Sequence, residues 1–235
     1  MKVLILGDGI LGSELKKQTG WDSISRRAGT FAVTGIDFIK KHYIKDYDII
    51  VNCIANTDTY TDDYDEHFDV NYLFVAHLSE ACRDLNKKLV QISTEYVYAN
   101  NRNIPTEKDN AIPHDSYYAL TKLLADEYVK LRNNSYLICR LLHKPNDFNH
   151  PEVWKTKTSG DRVNKIAELV IKLIKHSAEG TYNVGTGNKY LSSLVTDSKV
   201  VEPPTHVPTD TRMNLNKLNT FLNNIKSRNN NKKPN

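Results

Sequence analysis

Residues 2–12, with the sequence KVLILGDGILG, decide the fold of this chain. Residues 3–6 are aliphatic and predict a buried strand, and residues 13–17 predict a helix. Between them lie three glycines in the spacing GxGxxG. Glycines let the backbone turn tightly and approach a pyrophosphate, which the amino terminus of the following helix attracts. This order favours a dinucleotide-binding turn over a purely structural one, with contacts expected from Gly7, Gly9, Ile10, Leu11 and Gly12.

Strand-like and helical segments alternate along the rest of the chain. Strands are predicted at residues 22–25, 48–55, 88–92, 135–140 and 180–185. Helices are predicted at residues 66–85, 116–131, 163–174 and 215–225. The alternation predicts an α/β fold, a Rossmann-like doubly wound parallel sheet. The end of the strand at residues 48–55 is expected to pass close to a bound cofactor, with contacts from Cys53, Ile54 and Ala55.

Two arginines follow the second predicted strand, at the position where dinucleotide enzymes distinguish their cofactors. An acidic side chain there accepts a hydrogen bond from a ribose hydroxyl, whereas an arginine accommodates the additional phosphate of NADP. Arg26 and Arg27 occupy this position without an acidic residue beside them. NADPH is therefore the expected cofactor, and NADH is the alternative if the two arginines are merely solvated loop residues.

A threonine, a tyrosine and a lysine together predict a centre that supplies a proton. Thr94 follows the strand at residues 88–92, at the carboxyl edge of the sheet where ligands bind in such folds. Tyr118 and Lys122 are four residues apart and share one face of a predicted helix. A phenol with a pKa of about 10 can protonate an alkoxide when a nearby cation stabilises its anion.

These properties give each of the three side chains a role. Tyr118 is the candidate acid, Lys122 the group that tunes it, and Thr94 the hydrogen-bond donor to a carbonyl. Tyr118 and Lys122 are also expected to contact the cofactor. A Tyr-x-x-x-Lys pair is unremarkable in a chain with 13 tyrosines, so the assignment depends on its combination with the upstream threonine and the glycine turn.

Composition argues against a membrane protein, a metal-binding protein and a nucleic-acid-binding protein. The 235 residues carry a formal net charge of +4, and 39% of them are hydrophobic, as in globular proteins. No apolar run approaches the roughly 20 residues that span a bilayer, so we expect a cytoplasmic protein with no membrane partner. Cys53, Cys82 and Cys139 lack the spacing of metal ligands, which predicts free thiols and no metal site. The basic carboxyl terminus has no interleaved aromatic residues, so no nucleic-acid partner is expected.

Three parts are expected along the chain. Residues 1–140 form an NAD(P)-binding Rossmann domain that includes the catalytic side chains. Residues 141–225 form a reduced substrate-binding portion packed on that domain, in which the polar segment at residues 144–160 is a candidate substrate loop. Residues 226–235 are expected to be a disordered tail.

Two motifs resemble those of a known family. The sequence STEYVY at residues 93–98 is similar to S-T-D-Y-V-F/Y, and YALTKL at residues 118–123 resembles Y-G-x-T-K-L. With them the chain resembles the dTDP-4-dehydrorhamnose reductase-like family of extended short-chain dehydrogenases over nearly its whole length. The resemblance implies that Thr94, Tyr118 and Lys122 are catalytic, that the turn at residues 7–12 binds the cofactor phosphates, and that the substrate is a nucleotide sugar.

Departures from the family pattern concern the cofactor turn and the substrate side. The glycine turn is one residue shorter than the GxxGxxG of the family, and the chain is shortened after Arg140. His143 stands where the family often has tryptophan, so it is either a substrate contact or a loop residue without a role. We expect further substrate contacts from Thr57 and Glu95.

Reduction at C4 of a nucleotide-linked 4-keto-6-deoxy sugar is the expected reaction. Related dehydratases use an Asp-Glu pair after the threonine, where this chain has Glu95-Tyr96, and related epimerase-reductases place a cysteine at the position of Tyr96. A nucleotide-sugar epimerase or dehydratase remains an alternative. Another is a non-catalytic NADP-binding regulatory subunit, which the shortened substrate portion favours. A homodimer is possible.

Overall fold

The computed structural model describes residues 1–25, 43–61 and 63–230. The first elements are β1 (Val3–Leu6), α1 (Ile10–Thr19), β2 (Asp22–Ile24), β3 (Ile49–Asn52), α2 (Tyr64–His67), a π-helical segment (Phe68–Leu73), α3 (Phe74–Asp84), β4 (Lys88–Thr94), α4 (Tyr117–Arg132) and β5 (Tyr136–Leu141). They are followed by β6 (His143–Lys144), β7 (Glu152–Trp154), β8 (Lys157–Thr158), β9 (Asp161–Arg162), α5 (Val163–Lys175), β10 (Gly180–Val184), β11 (Lys189–Tyr190), β12 (Lys199–Val201) and α6 (Asn216–Asn230).

A six-stranded parallel sheet with the strand order β10-β5-β4-β3-β1-β2 forms the centre of the molecule. Successive side chains of β1 face opposite sides of it. Val3 and Ile5 pack in one hydrophobic cluster with α1 and α5, whereas Leu4 and Leu6 pack in another with α3 and α4. Helices cover both faces, which explains why the strands are apolar without alternation. The predicted Rossmann-like doubly wound sheet is confirmed.

The helix predicted at residues 66–85 contains the π-helical segment in its middle. There the Asn71 side chain donates to the Asn56 carbonyl oxygen at 3.0 Å and accepts from the Asn56 amide at 2.9 Å. The Asn71 amide nitrogen also lies 3.0 Å from Nδ1 of His67. π-Helical turns occur frequently at functional sites. This one brings Asn71 to the polar loop after β3 and so holds that loop at the carboxyl edge of the sheet.

The carboxyl-terminal part contributes both to the sheet and to a smaller layer. β10 pairs with β5, and α5 packs in the same cluster as α1, so part of the segment at residues 141–225 completes the central sheet. Residues 144–160, predicted to be irregular, include β7 and β8, which pair with β12 and β11. The α6 helix continues to Asn230, so it is five residues longer at its carboxyl end than the helix predicted at residues 215–225.

A buried ion pair joins α4 to β4 and β5. Nε of Arg140 lies 3.0 Å from Oδ2 of Asp126, and both side chains are almost completely buried. Ser93 donates to the same carboxylate oxygen at 2.9 Å, and the Tyr98 hydroxyl accepts from the Arg140 guanidinium. Buried charges are tolerated when they are paired and hydrogen-bonded. The network therefore fixes α4 against the carboxyl ends of two neighbouring strands.

Replacing Asp126 by Asn should destabilise the protein strongly, because it leaves the buried Arg140 with only a long contact, 3.8 Å, to the exposed carboxylate of Glu127. Removal of one partner from a buried pair costs roughly 3–5 kcal/mol, which urea denaturation should show as a lower free energy of unfolding. The matched control is Glu202→Gln, whose exposed pair with Lys155 should contribute about 0–1 kcal/mol. Equal stabilities of the two variants would mean that the buried pair does not hold α4 in place.

Candidate active site

Thr94 and the pair Tyr118 and Lys122 are brought together by the ends of two elements. Thr94 is the last residue of β4, and its hydroxyl accepts from the Tyr96 amide at 3.2 Å, which turns the chain away from the sheet. Ser116 caps α4 by accepting from the Ala119 amide at 3.3 Å. Tyr118 thus lies in the first turn of α4 and Lys122 one turn further, both on the face that meets β4.

Burial sets the protonation of this trio. It raises the pKa of the Tyr118 phenol, although a hydrogen bond from Thr94 lowers it in part. It lowers the pKa of Lys122 to about 8, against the charge of Asp126, which raises it. The Lys122 ammonium donates to the Ile92 carbonyl oxygen at 2.6 Å. In this structure, therefore, the phenol holds its proton, and the lysine is anchored to the strand that carries Thr94.

A cavity of about 570 Å³ opens at this edge of the sheet. Its walls include most of the residues predicted from the sequence: Gly9, Ile10, Leu11, Cys53, Ile54, Ala55, Thr57, Thr94, Tyr118, Lys122 and His143. Gly7, Gly12 and Glu95 are not among the lining residues. Arg26 and Arg27 lie outside the described residues. The preference for NADPH over NADH, which depends on these two arginines, therefore stays a prediction from the sequence.

The glycine turn is closed toward the protein and open toward the cavity. Gly7 has a left-handed φ of 99°, and a Cβ atom on Gly12 would lie 2.1 Å from the Gly7 carbonyl oxygen. At Gly9, in contrast, an added Cβ atom would meet nothing within 4 Å. α1 begins directly after Gly9 without a side-chain cap. Open space beside an uncapped helix amino terminus fits a phosphate group.

Glu95 is completely buried and does not line the cavity. Its carboxylate accepts from the Thr158 hydroxyl at 2.7 and 2.9 Å and from the hydroxyl of Thr211. Burial raises the pKa of Glu95 to about 7, and these hydrogen bonds oppose the shift. In this structure the Glu95 carboxylate therefore links the end of β4 to the carboxyl-terminal layer.

Several lining residues were not singled out in the sequence. They include Thr59, Ser93, Tyr96, Leu142, Lys144 and Pro145. Tyr96 lies inside the STEYVY motif, and Lys144 and Pro145 begin the segment at residues 144–160 that the sequence predicts as a candidate substrate loop, so the signal for them was regional. Burial lowers the pKa of His143 to about 4, and its Nδ1 atom has no hydrogen-bond partner within the described residues. The cavity wall after β5 therefore carries two basic side chains, the His143 imidazole and the Lys144 ammonium.

The described parts of the chain contain neither a membrane-spanning helix nor a cluster of metal ligands. None of the helices there combines the length and apolar character needed to cross a bilayer. No group of three or more His, Cys, Asp or Glu side chains is arranged there to hold a metal ion. The thiols of Cys53, Cys82 and Cys139 are free.

Comparison with known sequences identifies a matching family over more than half of the chain. Residues 1–143 match the family model of the RmlD substrate binding domain. A curated relative from Mycolicibacterium smegmatis, a dTDP-4-dehydrorhamnose reductase, is 27% identical over 135 residues. That match covers 54% of this chain and 41% of the relative, so the aligned region spans less than half of the relative's length.

Solved structures resemble the chain over nearly its whole length. A dTDP-4-dehydrorhamnose reductase from Clostridium acetobutylicum has a TM-score of 0.76 at 24% identity, covering 96% of this chain and 93% of that one. Another from Bacillus anthracis, solved in complex with NADP, has a TM-score of 0.78 at 23% identity, covering 94% of this chain and 92% of that one. At these identities the likeness concerns the fold.

Glu95 should make the stability of the protein fall as pH rises. Its pKa is raised from 4.5 to about 7 in the folded state, so the unfolded chain releases the proton first. Stability should be lost between these two pH values, by roughly 3 kcal/mol at 1.36 kcal/mol per pKa unit. His143 acts in the opposite direction, since its folded pKa is lowered from 6.5 to about 4.

The Glu95→Gln variant separates the two effects, because it retains His143 and cannot ionise at residue 95. Free energies of unfolding are measured for both proteins from pH 4.5 to above pH 7. The wild-type protein should lose stability relative to the variant across this range. A difference between the two proteins that does not change with pH would contradict the raised pKa of Glu95.

Proposed function

We propose, because this chain belongs to the RmlD substrate binding domain family, that it is an NADPH-dependent reductase of a nucleotide-linked 4-keto-6-deoxy sugar, similar to dTDP-4-dehydrorhamnose reductase. The observation that carries the proposal is one cavity in which Thr94, Tyr118 and Lys122 meet the glycine turn. The activity named for the relative from M. smegmatis and the NADP bound to the B. anthracis structure support it.

The residues present fit a dinucleotide. Gly9 leaves open space beside the uncapped amino terminus of α1, where a pyrophosphate would be held by backbone amides. Cys53, Ile54 and Ala55 line the cavity from the end of β3 and would pack along the cofactor. NADPH supplies a hydride when it is bound. Its preference over NADH is proposed from Arg26 and Arg27 in the sequence.

Tyr118 is proposed to protonate the oxygen at C4. A phenol whose pKa is raised by burial is fully protonated at neutral pH, which suits a proton donor. The Thr94 hydroxyl lies beside it and can hydrogen-bond the same substrate oxygen. Lys122 would stabilise the phenolate that forms, because its ammonium uses one N–H group on the Ile92 carbonyl oxygen and has two others to offer.

Reduction is favoured over dehydration by the walls of the cavity. Among its described lining residues there is no Asp or Glu side chain, and Glu95, the carboxylate nearest in sequence to Thr94, is held by Thr158 and Thr211. Elimination beside a ketone requires a base at the substrate. A cavity with a protonated phenol and without a carboxylate in its described walls supports proton donation.

The Tyr118→Phe variant tests the proposed reaction. NADPH oxidation is followed by absorbance with a dTDP-4-keto-6-deoxy sugar generated in place, with and without a 3,5-epimerase. Loss of the proton donor should lower kcat at least about 100-fold, the usual contribution of a general acid. NADPH affinity should change little. The matched control is Tyr117→Phe, because the neighbouring tyrosine is exposed and does not line the cavity.

Each outcome of this assay has a defined meaning. Turnover that depends on the epimerase and disappears in Tyr118→Phe supports a rhamnose-type reductase. Full activity of Tyr118→Phe would contradict the proposed role of the tyrosine. NADPH binding by the wild-type protein without oxidation of any 4-keto sugar would instead favour the non-catalytic regulatory subunit.

Gly9→Val tests the cofactor site separately from catalysis. The backbone at Gly9, with φ −64° and ψ −172°, accepts a valine, and the added atoms meet no protein atom near Cβ. The side chain would then occupy the space assigned to the pyrophosphate. NADPH affinity, measured by fluorescence titration, should fall at least about tenfold, while the urea midpoint stays at the wild-type value. Wild-type affinity in this variant would place the cofactor elsewhere.

A further inference from the structure

The described walls of the cavity contain lysine side chains but no Asp or Glu side chain. Its ionisable lining side chains are Cys53, Tyr96, Tyr118, Lys122, His143 and Lys144. Burial raises the pKa of Cys53 to about 12, so the thiol is neutral. Two lysines are then the charged groups in the described walls, and Lys122 already donates to a backbone carbonyl. Lys144 is therefore the lysine of this cavity that is available to bind a ligand.

Lys144 is half-buried and has no hydrogen bond or ion pair within the described residues. Its Nζ atom lies 5.2 Å from the centre of the Phe148 ring, a cation–π contact. Glu95 is near enough to raise its pKa, but burial lowers it more. The Glu95 carboxylate is already taken by the Thr158 and Thr211 hydroxyls.

The Lys144 Nζ atom is not sealed from solvent, so a ligand in the cavity can reach it, and charged oxygen atoms of that ligand would pair with the ammonium. The side chain is presented by a fixed backbone. β6, which contains Lys144, pairs in parallel with β9. The Arg162 guanidinium binds the carbonyl oxygen atoms of Asn146 at 2.5 Å and Phe148 at 3.2 Å. Such preorganisation is typical of a binding residue.

The position of this segment indicates which anion it would bind. The Asn146 side chain lies 3.4 Å from the Glu14 carboxylate on α1, so the chain after Lys144 packs against the helix that follows the glycine turn. Lys144 also lines the same cavity as Thr94 and Tyr118. A diphosphate bridging a nucleoside to another group has the charge and length to reach between these places.

We propose that Lys144 is a diphosphate-binding residue of this cavity, which contacts the diphosphate either of the dinucleotide cofactor or of the nucleotide sugar. The inference rests on the proposed function for the identity of these two ligands. It adds to that function a residue outside the trio and the glycine turn, and it gives the shortened substrate portion a role in anion recognition.

The test compares Lys144→Met, Lys144→Arg and the control Lys172→Met, which removes an exposed lysine from α5. Binding of inorganic pyrophosphate, dTDP and NADPH is measured by calorimetry for each protein. Lys144→Met should weaken pyrophosphate and one of the two nucleotides at least about tenfold, as expected for a hydrogen bond to a charged group. Lys144→Arg should retain most of the affinity, and Lys172→Met should match the wild-type protein.

The nucleotide that loses affinity identifies the source of the diphosphate. A loss confined to NADPH assigns Lys144 to the cofactor, and a loss confined to dTDP assigns it to the substrate. Wild-type affinity of Lys144→Met for all three ligands would overturn the proposal, as would a wild-type protein that binds none of them. A lower urea midpoint with unchanged binding would overturn it in favour of a structural role. Lysine-dependent binding without any ketosugar reduction would leave this inference standing and refute the proposed reaction.

Discussion

The buried pair of Asp126 and Arg140 is the constraint on which the site depends. Thr94 and Tyr118 belong to different elements, and their side chains can meet only if α4 keeps its height along β4 and β5. Asp126 sets that height, since it binds Arg140 from β5 and Ser93 from β4 on a single carboxylate oxygen. Its charge also raises the pKa values of Lys122 and Tyr118. One carboxylate therefore both positions the helix that carries Tyr118 and Lys122 and influences the pKa values of these two side chains.

Two consecutive side chains at the end of β4 have different environments. Thr94 faces the cavity, whereas Glu95 is fully buried against the carboxyl-terminal layer, where hydroxyl groups of Thr158 and Thr211 surround it. A carboxyl whose pKa is raised to about 7 by burial adds little stability of its own. Its hydrogen bonds nevertheless specify how residues distant in sequence close over the sheet. The candidate active site is consequently supported by hydrogen bonds of Glu95 to two residues of the carboxyl-terminal layer.

The parts that the sequence predicted well are those determined by local patterns. The apolar run at residues 3–6, the glycine spacing and the four-residue separation of Tyr118 and Lys122 act over short distances. The sheet and the proximity of Thr94, Tyr118 and Lys122 in one cavity followed from them. The parts that were missed depend on distant contacts. The π-helical turn exists beside Asn56, 15 residues before Asn71, and the burial of Glu95 requires Thr211, 116 residues away. The length of α6 was underestimated because its polar end resembles a solvated tail.

The protonation states in the cavity follow from the effect of burial on an acidic phenol and on a basic ammonium group. Removing water raises the pKa of the Tyr118 phenol and lowers that of the Lys122 ammonium, because in each case the charged form is disfavoured. Asp126 limits the second shift, so that Lys122 remains largely charged at neutral pH. Lys144 adds a second cation in the same walls, without a hydrogen-bond partner among the described residues. The phenol of Tyr118 keeps its proton and can donate it. The two lysines have no carboxylate beside them in the described cavity walls, so they can attract an anion. The surroundings of these side chains, as much as their identities, therefore determine the protonation and the charge of the cavity walls.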